Sequence, residues 1–143
     1  MITESTLLDN PDGQLSTALP TGGPIQSAIT YEKIPTHIYA DAKDASRAVA
    51  QELADLIRQK QSEGKPCVLG LATGSSPKTV YAELIRMHRE EGLSFHNVVS
   101  FNLDEYYPME PDSLQSYWRF MREQLFDHVD IPEGNYHVPD GTV

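Results

Sequence analysis

Two short apolar runs, CVLGLA at 67–72 and VVSFNL at 98–103, are separated by a segment of helical length and period. That spacing constrains the fold more than any other feature of the chain. Each run suits a buried strand, and two parallel strands need a crossover of about a dozen residues or more between them. The intervening SPKTVYAELIRMHREEG supplies one, with Val80, Leu84 and Met87 on a helical stripe, Pro77 at its start and Gly92 at its stop. Upstream, KIPTHIYAD reads as a further short strand despite Pro35. It feeds DAKDASRAVAQELADLIRQKQSEG, where Ala45, Val49, Leu53, Leu56 and Ile57 recur at helical spacing before Gly64. Downstream, Asp112 and Gln115 have capping-box spacing ahead of a helix carrying Leu114, Tyr117, Trp118, Met121 and Leu125, and NYHVP begins a fourth strand. The alternation predicts an α/β fold, a doubly wound parallel sheet with helices on both faces and the 67–72 strand buried on both sides.

Residues 1–30 are rich in Pro, Gly, Ser and Thr without a sustained period and read as a flexible N-terminal extension; residues 31–143 carry the folded pattern. Eleven basic against 21 acidic side chains give a net charge of −10, which argues against nucleic acid or an anionic membrane as the main partner. A small anion is compatible with it, because a local site can be built from backbone N–H groups. Cys67 is the one cysteine, so neither an intrachain disulfide nor a cysteine-based metal cluster is available, and it reads as a small buried hydrophobe. With no apolar run of membrane length and no leader pattern at the N-terminus, a cytoplasmic location is expected.

Ligands of doubly wound sheets gather beyond the carboxyl ends of the strands, and two loops fall there. The first, Thr73, Gly74, Ser75 and Ser76, lies between a strand and a helix. Its hydroxyls and the free N–H groups of the helix's first turn suit an anion such as a phosphate, and equally suit a helix capped by Ser76 with Pro77 at N1. It lacks the Gly-Lys-Ser/Thr of a Walker A loop and the GxGxxG of a dinucleotide site. The second loop, at 104–107, carries Asp104 and Glu105. Asp104 suits a general base at a strand end, or a solvated acidic turn; Glu105 suits a structural, supporting role. His37, His88, His96, His128 and His137 show no metal-ligand spacing, so no metal is expected.

Three segments in this order, VLGLATGSSPKTVYAELIRMHREEGLSF, VVSFNLDEYYP and FDHVDIPEGN, resemble the glucosamine-6-phosphate deaminase family and its isomerase-like relatives, which include 6-phosphogluconolactonases and sugar-responsive regulator domains. The resemblance covers roughly residues 35 to 140. It implies a modified Rossmann-like fold, Thr73, Gly74, Ser75 and Ser76 as holders of a sugar phosphate, and Asp104 as the base that removes the C2 proton of the amino sugar. It implies no cofactor, a phosphosugar as small-molecule partner, and association of copies of the chain. The stretch NLDEYYP favours the deaminase branch over the lactonase one; another sugar-phosphate isomerase, and a non-catalytic sugar-phosphate-binding module, which no DNA-binding helix pair or basic patch accompanies here, stand as alternatives. The N-terminal extension is similar to that of a longer bacterial subgroup in which the deaminase-like part precedes another domain. The family's later motifs, a Gly-rich Asp-Gly-His and an Asn-Glu-Pro that carry the ring-opening histidine and its acidic partners, have no counterpart here. The chain therefore reads as the N-terminal part of such a domain, with an incomplete sheet and no turnover expected from it alone.

Overall fold

Asp41 opens the first helix by accepting the N–H of Asp44 at 2.8 Å, and helix α1 then runs Ala42–Ser62 in a computed structural model that describes residues 36–143. Of the expected stripe α1 buries Ile57 and packs Leu53 partly against the core, whereas its other buried residues, Ser46, Ala50 and Ala54, lie one position round. Val49 and Leu56 are 46% and 37% exposed. The reason lies in the neighbour. Helix α2 (Lys78–Glu91) packs close enough to α1 for the hydroxyls of Ser46 and Thr79 to meet at 2.6 Å, an approach that the short Ser46 side chain allows.

Strands β1 (Cys67–Leu71), β2 (Val98–Asn102) and β3 (Tyr136–His137) form a parallel sheet in the order β1-β2-β3. The parallel α/β architecture is the one expected. Cys67, Leu69, Leu71 and Val98 turn inward and share one core with Ala50, Ala54, Ile57, Leu84, Met87 and Met121. Cys67 is a buried free thiol that burial pushes above its usual pKa. On the other face Val68 is 62% and Phe101 49% exposed, so among the described residues β1 is covered on one side rather than on two, and the helices lie on one face. Sequential strand order explains this. Right-handed crossovers that all step the same way leave their helices on one face, and a second layer needs the order to reverse.

Of the strand expected at 33–41, residues 36–39 are irregular, with Ile38 half exposed; residues 33–35, like the extension at 1–30, lie outside the described residues. A proline within the run withholds a donor that a strand ladder would need. NYHVP accordingly supplies the third described strand instead of a fourth.

Helix α2 begins after Pro77, which stands at the cap with no side-chain hydrogen bond, so Ser76 does not cap it. Gly92, at φ 70°, closes its C-terminus. Leu84 and Met87 are buried as the stripe predicted, Val80 packs partly against the core, and the buried Tyr81 completes the face. Helix α3 (Tyr117–Gln124) starts later than the capping-box spacing predicts. Its cap is the buried Ser116, whose hydroxyl accepts the N–H of Arg119 at 3.3 Å, and Leu114 stands outside the helix at 83% exposure. Met121 and Leu125 enter the core, while Trp118 and Phe126 pack on Tyr136, at centroid distances of 5.6 and 4.4 Å.

Candidate active site at the carboxyl edge of the sheet

The register of β1 against β2 sets Leu71 beside Asn102, so the two strands end level. Asn102 staples these ends together: its side-chain N–H donates to the Leu71 carbonyl at 2.8 Å, and the residue is buried. Thr73 lies two residues beyond Leu71 and Asp104 two beyond Asn102. Neighbouring strands run roughly 4.8 Å apart, so both candidate loops leave the same edge side by side. The structure thereby brings the two loops that the sequence singled out to one place.

In the first loop Gly74 takes φ +104°, a conformation that side-chain-bearing residues rarely adopt. Thr73 is half-buried, while Ser75 and Ser76 are exposed ahead of α2. The N–H groups of the first turn of α2 have no acceptor within the helix and face the loop, the elementary arrangement for an anion. The loop is anchored from behind by Tyr81, whose hydroxyl donates to the Ala72 carbonyl; burial pushes its pKa up to about 12, so it remains a donor. Ser75 and Ser76 border a cavity of about 430 Å³ shared with Ser46, Val49 and Thr79. A second, of about 470 Å³, opens at the strand ends between Ala72 and Leu103, over Gly70, Phe101 and Asn102.

The two adjacent carboxylates of the second loop separate sharply. Asp104 is exposed, and among the described residues its side chain makes no hydrogen bond. Glu105 is half-buried and receives four donors. Its Oε1 accepts the N–H groups of Tyr106 (2.9 Å) and Tyr117 (3.0 Å); its Oε2 accepts the Ser116 hydroxyl and the Trp118 N–H, both at 3.0 Å. Burial pushes this carboxyl upward, but the Tyr117, Trp118 and Tyr106 amides and the Ser116 hydroxyl together hold it below the usual carboxylate value. The loop also touches the C-terminal segment. Met109 N–H donates to the Gly141 carbonyl at 2.8 Å, and the Tyr106 and Tyr117 hydroxyls meet at 3.0 Å.

Several contributors were missed in the sequence. Asn102, Tyr81, Ser116 and Gly141 carry no local motif, and their parts depend on partners brought near by the fold. Among the described residues no cluster of three or more His, Cys, Asp or Glu side chains could hold a metal ion, and no helix is long and apolar enough to cross a membrane.

Against known proteins, residues 40–142 match the family model described as glucosamine-6-phosphate isomerases/6-phosphogluconolactonase. A glucosamine-6-phosphate deaminase-like protein of Bacteroides thetaiotaomicron is 52% identical over 112 residues, covering 78% of this chain and 17% of that protein. Glucosamine-6-phosphate deaminase 2 of Giardia intestinalis is 50% identical over 100 residues, covering 70% of this chain and 36% of that protein. Among solved structures, a monomeric glucosamine-6-phosphate deaminase superposes with a TM-score of 0.68 at 37% identity, over 72% of this chain and 41% of that one. The chain thus spans well under half the length of each of these relatives.

Proposed function

The chain belongs to the glucosamine-6-phosphate isomerase/6-phosphogluconolactonase family, and from that premise we propose that it supplies the phosphate loop and the catalytic base of a glucosamine-6-phosphate deaminase. The observation that carries this reading is the level ending of β1 and β2 at Leu71 and Asn102, which sets an anion-type loop beside a carboxylate that bonds to none of the described residues.

In this reading Thr73, Gly74, Ser75 and Ser76 hold the sugar phosphate through backbone N–H groups and hydroxyls, with the N-terminus of α2 behind them. The phosphate fixes one end of the open-chain sugar, and Asp104 meets the other. Its carboxylate takes the proton from C2, next to the C1 carbonyl, and an enediol-type intermediate that keeps the amine on C2, an enolamine, forms. A proton returns at C1, water replaces the amine at C2, and fructose 6-phosphate and ammonia leave. A positioned carboxylate contributes roughly 10²–10⁴-fold to such a step. Asp104 suits it because no donor among the described residues occupies its lone pairs, whereas those of Glu105 are occupied by four donors. No cofactor enters the scheme. The family's ring-opening motifs are absent from this sequence, so the chain alone binds a phosphosugar without turning it over. We assign the protein to the cytoplasm on its single buried thiol and its metabolic substrate.

The test is ammonia release from glucosamine 6-phosphate. The whole protein that carries this chain releases ammonia, the 143-residue chain does not, and Asp104→Asn in the whole protein lowers the rate by roughly 10²-fold or more. Hydrolysis of 6-phosphogluconolactone without ammonia release would instead make it a lactonase; robust ammonia release by the chain alone would contradict the division of labour.

A further inference from the structure

The loop that carries Asp104 is tied down at two points away from the phosphate loop. The first is Glu105, whose carboxylate joins the loop's own Tyr106 amide to the start of α3 through Ser116, Tyr117 and Trp118. Because Glu105 follows Asp104 directly, fixing it fixes the backbone from which Asp104 projects. A carboxylate is what the place requires. It offers acceptors only, on two oxygens, to the loop's own Tyr106 amide and to two amides and a hydroxyl at the positive end of a helix. The isosteric glutamine would set an NH₂ group against one pair of those donors.

The second point is Gly141, which is buried. A Cβ added there would stand 2.6 Å from the Tyr106 carbonyl oxygen, 2.8 Å from the Met109 carbonyl oxygen and 2.9 Å from Met109 Cβ. Two of these are backbone atoms, so relief requires the loop itself to move. The Met109 N–H bond to the Gly141 carbonyl holds the contact closed. The C-terminal segment is therefore a backstop against which the 104–109 loop is set.

We propose that Glu105 and Gly141 are positioning residues for Asp104, acting as a two-sided clamp that fixes the base over the sheet edge without touching substrate. The inference rests on the reading of Asp104 as the base. Neither residue bonds to the phosphate loop, so the clamp governs proton abstraction and leaves binding largely alone. Displacing a reacting group by about an ångström from a distance can cost on the order of 10²-fold in rate.

The experiment measures kcat and KM for ammonia release in the whole protein, for wild type, Glu105→Gln and Gly141→Ala, with circular dichroism to verify folding. Both variants are expected to lose about 10- to 100-fold in kcat while KM stays within about threefold. A purely structural role would lower the folded fraction and leave the kcat of the folded enzyme near wild type, and that result overturns the proposal. So does a rise in KM at unchanged kcat. Should Gly141→Ala fail to fold, the isosteric Glu105→Gln decides alone. A wild-type protein that releases no ammonia overturns the deaminase reading and this inference together; an active wild type with unimpaired variants overturns this inference only.

Discussion

Asp104 and Glu105 share a backbone but not an environment, and the roles proposed for them rest on that difference. Glu105 is stabilised as an anion by four donors while its neighbour stands in solvent. The consequence is a pH dependence that belongs to Glu105. Its folded carboxyl lies below its ordinary value of 4.5, so its contribution to stability is complete above that pH and is lost as the pH falls through the depressed value. Urea unfolding of the chain should show Glu105→Gln less stable by about 1–3 kcal/mol at neutral pH, with the gap to wild type closing as the medium becomes acidic below 4.5. A gap that persisted unchanged into acid would mean the carboxylate is not held as an anion. The two carboxylates were conspicuous in the sequence at the end of an apolar run. What could not be read there were three of the four donors, which sit 11 to 13 residues further along and meet Glu105 only because α3 folds back on the loop.

The helix period of α1 was plain, and Ile57 and Leu53 face the core as expected, yet the rest of its buried face fell one residue from the expected stripe. Large apolar residues dominate a periodicity reading, and Val49 and Leu56 drew the stripe toward themselves, whereas the face turned to the core carries Ala50 and Ala54, both fully buried. Overpacking a close helix contact costs about 1–3 kcal/mol, and an exposed substitution usually changes stability by less than about 0.5 kcal/mol. Ala54→Leu should therefore lower the denaturation midpoint clearly, and Val49→Ser barely. The opposite order would restore the stripe expected from the sequence. The start of α3 was missed for a related reason: Asp112 and Gln115 have the spacing of a cap, but the amides that need satisfying are met by Ser116 and Glu105.

For the whole molecule, alternation of strand-length and helix-length segments was enough to predict a parallel α/β sheet and the edge at which its loops gather. It did not predict that the described helices share one face, because that follows from strand order, a non-local property that periodicity does not encode. The exposed Val68 and Phe101 are the visible result. The site is better defined than the sequence allowed, since the Leu71–Asn102 register, the Asn102 staple and the Glu105 bonds give its two loops fixed origins. The most direct measurement follows deuterium at C2 of glucosamine 6-phosphate in the whole protein. Wild type should remove the C2 label during turnover, and Asp104→Asn should remove it slower by roughly 10²-fold or more; loss of the label at the wild-type rate in Asp104→Asn would show that another group takes the proton.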